Sequence, residues 1–363
     1  MKKEAMLIVG MIAILAMVPS ACADAIIIDH TCTDISEIPD YWLDQAKNLT
    51  IHYAHTSHGG QINSGLSVLE AVDPVKYSFA RRASKTEGLP LIEYPPALRM
   101  YDGNPPETYI NPDDYWDGES GMDRTRAVAD TGNYNFSMWS WCGQQSGNSE
   151  ATTQRYIDNL NTLESGHPEM RFIYMTGHTD GTGETGNLNA RNNQVHDFCI
   201  ANGKILFDFA DIESYDPDGN YFLDKGAEDD CDYWIDSVKH NWADEWCAAH
   251  PDSDLCISCS CAHSKPLNCN LKARAFWWMM ARLAGWDGGQ PEQPICGDVT
   301  DDGTVNTVDL VLLLNHCVDP AGNPLAHECT GDIDGNGHIN SLDVLMLMGY
   351  INNPEGYSLH CGC

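Results

Sequence analysis

The feature that most restricts what this chain can fold into is a repeat near its C-terminus with a period of 34 residues. Asp298, Thr300, Asp302, Gly303, Thr304, Asn306 and Asp309 recur as Asp332, Asp334, Asn336, Gly337, His338, Asn340 and Asp343. Counted from the first aspartate, these are positions 1, 3, 5, 6, 7, 9 and 12 of a loop. A hard cation wants about six or seven oxygens, and this spacing offers side chains at 1, 3, 5 and 12, a backbone carbonyl at 7 and a water held by 9. The glycine at 6 makes the sharp turn. Two such loops predict two calcium ions, the first site the weaker because Thr300 replaces a stronger ligand. Each loop runs into an apolar segment, Leu310–Leu314 and Val344–Met348, so the last ligand of each already sits on a helix.

Aspartate at position 12 and the lack of an entering helix separate this pattern from a calmodulin-like hand. Over about residues 296–354 it resembles a type I dockerin. The resemblance implies a small all-α calcium-binding module whose Thr307, Val308, Ser341 and Leu342 face a cohesin-bearing scaffold protein. A calcium pair with a purely structural role is the alternative. Cys296, Cys317, Cys329, Cys361 and Cys363, the last two in the tail 355–363, are expected to staple a module too small for a large core.

At the other end, Lys2-Lys3 precedes an apolar run from Met6 to Val18, then Pro19 and the small residues Ala21-Cys22-Ala23 and Ala23-Asp24-Ala25. This reads as a signal segment over residues 1–25 and predicts a secreted, extracellular protein. The run is well short of the ~20 residues of a membrane span. Cys22 raises a lipid anchor as an alternative, against which Pro19 stands where such signals carry an aliphatic residue. The formal charge is -33, which excludes nucleic acid as a partner. Fifteen cysteines point to an oxidising compartment and disulfides. Cys256, Cys259, Cys261 and Cys269, with His250 or His263 nearby, leave a zinc cluster as the rival to disulfides there.

Residues 287–295 contain a polar Gly/Pro stretch that reads as a linker. Before it, β-rich runs at Leu49–Ala54, Phe136–Trp141, Arg171–Thr176 and Lys204–Phe209 alternate with helical spacing at Thr152–Leu163, Asn189–Ala201 and Leu271–Leu283. Such alternation predicts a three-layer α/β/α domain with a parallel sheet over residues 26–286. An acidic, Cys- and Trp-rich insertion at 213–262 interrupts the alternation.

The first predicted strand ends in Tyr53-Ala54-His55-Thr56-Ser57-His58-Gly59-Gly60 and a helical pattern follows. A serine at a strand-to-helix turn is exposed at the carboxyl edge of a parallel sheet, although such a turn also favours serine as a helix cap. Trp141-Cys142-Gly143-Gln144 and Thr176-Gly177-His178-Thr179-Asp180-Gly181 end two later strands, and Cys261-Ala262-His263 precedes the last helix. In this order the pattern resembles an SGNH-type (GDSL-like) esterase of the branch whose first block reads His-x-Ser-x-Gly. The resemblance implies Ser57 as nucleophile, Gly143 in the oxyanion hole and His263 as base. The third block, which in that family supplies an asparagine, holds His178 or Thr179 here. Ser260 stands where the family's acid precedes the histidine, leaving Asp180 or Asp208 to orient the ring. The expected activity is that of a carbohydrate O-acyl esterase with a carbohydrate substrate. The alternatives are a noncatalytic carbohydrate-binding or scaffold-associated protein, and a metal site formed by His55, His58, His178 and His263.

Overall fold

The computed structural model describes residues 24–83, 96–289, 295–354 and 356–361. The segment read as a signal, Cys22 included, and Cys363 lie outside them. Seven strands form one parallel sheet: β1 (Ile26–Ile28), β2 (Thr50–His55), β3 (Phe79–Ala83), β4 (Leu98–Asp102), β5 (Phe136–Ser140), β6 (Arg171–Met175) and β7 (Ile205–Phe207). Their spatial order is β1-β7-β6-β5-β2-β4-β3. Parallel pairing demands long crossovers, and helices supply most of them, so both faces of the sheet are covered. The central strands accordingly read as nearly unbroken buried runs: every residue of β5 is buried, as are Thr50 to Ala54 of β2.

The helices of this layer are α1 (Asp40–Ala46), α2 (Gly60–Val72), α3 (Gly118–Ala129), α4 (Gln144–Gly147), α5 (Glu150–Gly166), α6 (Asn187–Ala201), α7 (Phe209–Ile212), α8 (Trp242–Ala249) and α9 (Pro266–Ala284). Helix α9 begins at Pro266, a residue suited to a first turn because it lacks a donor there. It buries Phe276, Trp277, Met279 and Met280. Helix α2 crosses it closely: a Cβ on Gly65 would lie 2.2 Å from the Cys269 carbonyl oxygen, so a side chain there would push the two helices apart.

The 213–262 segment is ordered around a two-stranded antiparallel hairpin, β8 (Asp232–Ile235) with β9 (Val238–Asn241), followed by α8. Disulfides Cys247–Cys256 and Cys261–Cys269 close it. They consume three of the four sulfurs of the alternative zinc cluster, which is thereby overturned; Cys259 is a free thiol.

After the linker come α10 (Thr307–Val318), α11 (Glu328–Gly331) and α12 (Ser341–Asn352). They enclose a separate small core of Val299, Leu313, Ile333 and Leu347. Cys296–Cys361 ties the two ends of this unit together across 65 residues. Cys329 is also disulfide-bonded, whereas Cys317 is a free thiol and staples nothing. Among the described residues no helix is long and apolar enough to cross a membrane.

Candidate functional site

In an open parallel sheet, ligands gather at the carboxyl ends of the strands, where the strand order reverses direction. Here the chain runs from β2 to β4 on one side and returns to β5 on the other. The turn after β2 is fixed by its glycine: a Cβ on Gly59 would meet His55 Cβ at 2.3 Å and Ser140 Cβ at 2.8 Å. The Tyr53 hydroxyl donates to the Gly59 carbonyl at 2.9 Å. This compact turn delivers Ser57 and His58 above the sheet, β5 delivers Cys142, and β6 delivers His178.

The loop bearing His263 is fixed independently. The Cys261–Cys269 bridge ties it to α9, Gln61 donates to the Ala262 carbonyl at 2.6 Å, and Ser64 donates to the Ser260 carbonyl at 2.7 Å. His263 itself is exposed and holds a left-handed backbone, φ 61°. Its Nε2 lies 3.0 Å from Ser57 Oγ, so the two residues expected to pair do stand within hydrogen-bond reach.

Neither carboxylate expected behind that ring is there. Asp180 accepts from the Thr182 amide and hydroxyl, and Asp208 accepts from Thr176 Oγ1 at 2.8 Å and caps α7. Among the described residues no carboxylate hydrogen-bonds His263. Thr179 is likewise engaged elsewhere: its amide and hydroxyl both donate to Glu213, which is buried with Lys272 as an ion pair. Gly143 is exposed at the start of α4.

The carboxylate at this site is Asp229, from the acidic insertion. His58 Nε2 lies 2.8 Å from Asp229 Oδ2, and His58 Nδ1 lies 3.0 Å from Cys142 Sγ. Cys142 Sγ is in turn 3.5 Å from Ser57 Oγ. The His58 ring is sandwiched between His178, centroids 3.8 Å apart, and His263, 4.6 Å. His178 Nδ1 bonds the Thr179 carbonyl at 2.7 Å, and its buried Nε2 has no hydrogen-bond partner among the described residues.

Burial opposes a charge on His58, but its hydrogen bonds to Asp229 and Cys142 outweigh burial and hold its pKa up at about 9. Burial also opposes a charge on Cys142; the bonds from His58 and Ser57 prevail and draw the thiol down to about 5. Asp229 is held below its ordinary range by the His58 bond and by the neighbouring imidazoles, against the penalty of burial. Of the four histidines considered for a metal, His55 faces elsewhere, 2.8 Å from Asp102. His58 and His178 do lie with Asp229, yet both ring nitrogens of His58 are already committed.

The C-terminal loops repeat one hydrogen-bond pattern. Asp298 accepts from the Gly303 amide at 2.7 Å as Asp332 does from Gly337, and Asp309 accepts from the Asn306 amide at 2.8 Å as Asp343 does from Asn340. Gly303 and Gly337 hold φ of 82° and 84°, the turn that requires glycine. Carboxylates of Asp298, Asp302 and Asp309, and of Asp332, Asp334 and Asp343, converge with ligand oxygens within 4.8 Å of one another. Asp309 and Asp343 are fully buried. Such oxygen-only, anionic clusters fit a hard divalent cation. Thr300 Oγ1 donates to Asp309 at 2.8 Å.

Residues 296–352 match the family model of the type I dockerin domain. Domains of that type bind calcium and imply a cohesin partner. No curated protein and no solved structure matches the chain.

Proposed function

We propose that this chain is a secreted cargo of an extracellular, polysaccharide-degrading assembly, with an α/β domain that hydrolyses ester bonds of O-acylated carbohydrate. The observation that carries the catalytic part is a pair of nucleophile atoms 3.5 Å apart, Ser57 Oγ and Cys142 Sγ, each within 3.0 Å of an imidazole nitrogen. Acyl transfer needs such a nucleophile, a base to manage its proton, and an orienter for the base. The order of the segments that meet there is similar to that of SGNH-type esterases, and the strand order reverses where they meet.

The docking part rests on two calcium loops, each feeding a helix with an outward apolar stripe. Val308, Val311 and Leu314 are exposed on α10, and Leu342, Leu345 and Met348 on α12. Exposed apolar side chains at helical spacing on so small a unit mark a protein interface. Thr307, Val308, Ser341 and Leu342 stand at the start of these stripes and are the residues assigned to cohesin contact.

Acetyl release from acetylated xylan and from a chromogenic acetate tests the catalytic reading. Turnover lost on chemical blocking of the site is expected. Absence of turnover across a broad ester panel would favour the noncatalytic reading, to which the unsupported His263 ring lends its weight.

A further inference from the structure

Two nucleophiles cannot serve one reaction equally. We infer that the attacking atom is Cys142 Sγ, with His58 as its proton carrier, Asp229 as the carboxylate that orients the ring, and Ser57 and His263 in support. This inference rests on the acyl-transfer reading above and assigns its chemistry.

The geometry separates the candidates. Cys142, His58 and Asp229 form an unbroken chain, 3.0 Å and then 2.8 Å. His58 is 4% exposed and clamped face to face between two other imidazoles, so its ring cannot swing away. The rival base is the exposed His263, whose ring no carboxylate among the described residues hydrogen-bonds. The setting of Cys142 also differs from that of the other free thiols. Cys32, Cys199 and Cys231 are buried, and burial pushes Cys32 up to about 11 and Cys231 up to about 12. Cys142 is half-buried, with donors on it. Once its sulfur is anionic, Ser57 Oγ serves best as a donor to that anion. An alkoxide developing 3.5 Å from a thiolate would face like-charge repulsion.

The chemistry balances without a further reactant than water. Sγ attacks the acyl carbon and a C–S bond forms while the carbonyl pair moves to oxygen. Collapse breaks the ester C–O bond, and the departing alcohol takes the proton from His58 Nδ1. Water then gives a proton to His58 and attacks the thioester carbon; the C–S bond breaks, and acid and thiolate are released. Ser57, held by His263, donates to the sulfur in its resting state.

The test uses the full-length protein with its calcium. Iodoacetamide alkylation is followed against pH, with mass spectrometry locating the modified cysteine. Groups facing Cys142 are Thr56, Ser57 and His58 and, beyond His58, its hydrogen-bond partner Asp229 and the stacked His178 and His263. The expected result is a half-maximal rate near pH 5, with Cys142 alkylated at least about 10-fold faster than Cys259 or Cys317 at pH 6. His58→Gln and Asp229→Asn should move that midpoint upward. In parallel, a chromogenic acetate is quenched in acid and the acetylated peptide sequenced; the acetyl group is expected on Cys142, and Cys142→Ser should lose at least about 100-fold in kcat/KM with unchanged melting. Acetyl on Ser57, or a Cys142 midpoint near that of a free thiol, overturns the inference while leaving acyl transfer intact. A midpoint near 5 without turnover or trapped acyl overturns the acyl-transfer reading itself, and the nucleophile assignment with it. Turnover abolished by chelation and restored by zinc, but not by calcium, also overturns the inference.

Discussion

His52, His55 and His58 leave one strand and its turn, and their surroundings make three different groups of them. His52 is fully buried between Ser137 Oγ and the Gly103 carbonyl, each at 2.8 Å, and burial lowers its pKa to about 4, so it is a neutral strut. His55 pairs with Asp102. His58 alone meets a thiol and a carboxylate at once. If the working state is the thiolate–imidazolium pair, kcat/KM should rise as pH passes about 5, where Cys142 ionises, and fall near about 9, where His58 loses its proton. Removing the Asp229 charge disfavours the imidazolium, so Asp229→Asn should bring the alkaline limb to lower pH and narrow the bell; an unmoved alkaline limb would exclude Asp229 from that role. Ser57→Ala should lower the rate without abolishing it, because the thiolate keeps its His58 partner, and a complete loss in initial-rate assays would count against this division of labour. The Ser57–His263 approach was legible in the sequence, since both lie at block ends that a parallel sheet brings to one edge. Asp229 was not legible: it sits in the run Glu228-Asp229-Asp230-Cys231-Asp232, where acidity is ordinary and nothing in the spacing singles out one carboxylate.

At the scale of elements, the two loops that carry His178 and His263 are held by one buried charge pair. Lys272 of α9 and Glu213 are both fully buried; Lys272 reaches Gln61, which supports the His263 loop, and Glu213 accepts from Thr179 beside His178. Burial lowers the Lys272 pKa, with the Glu213 charge working against that shift. Lys272→Met would strand the Glu213 carboxylate and should cost about 3–5 kcal/mol in denaturant unfolding at neutral pH. Adding Glu213→Gln should recover a large part of that loss, and a double variant no more stable than the single would show that packing, not charge, was responsible. No alternation of apolar residues could announce this pair, because it joins α9 to the end of α7 across the core. The strands show the same limit. The four predicted ones are present because buried, β-branched or aromatic runs survive without context. Those missed in the parallel sheet are β1, three residues long, and β3 and β4, whose Arg81, Arg99 and Asp102 interrupt the apolar pattern; the short β8–β9 hairpin of the insertion was missed as well. Those charges are affordable where the strands reach the sheet edge or the site: Asp102 receives Arg81 and His55.

The whole molecule combines two cores that are stabilised by different means. The α/β domain buries a continuous aromatic and aliphatic interior and is pinned by Cys247–Cys256 and Cys261–Cys269. The C-terminal unit has four fully buried apolar side chains, the long-range Cys296–Cys361 disulfide, a further disulfide-bonded cysteine in Cys329, and two clusters of carboxylates whose mutual repulsion a cation must offset. Its 34-residue repeat was the most legible part of the sequence, because ligand chemistry fixes residue type at fixed positions whereas packing fixes only size and polarity. Cation binding to the folded form alone adds RT ln(1 + [L]/Kd), about 2.7 kcal/mol per site at a hundredfold excess over Kd. On this small core such a term is a far larger share of the stability than it would be on the large one. Calorimetry of the full chain should therefore show a calcium-dependent transition for the C-terminal unit, moving down on chelation, and a second transition for the α/β domain that chelation leaves in place. Asp343→Ala should remove the tighter site and Asp309→Ala the weaker one, since Thr300 offers the first loop less than Asp334 offers the second. Equal melting with calcium and with chelator would sink the calcium account, and a common shift of both transitions would show that the two units unfold as one.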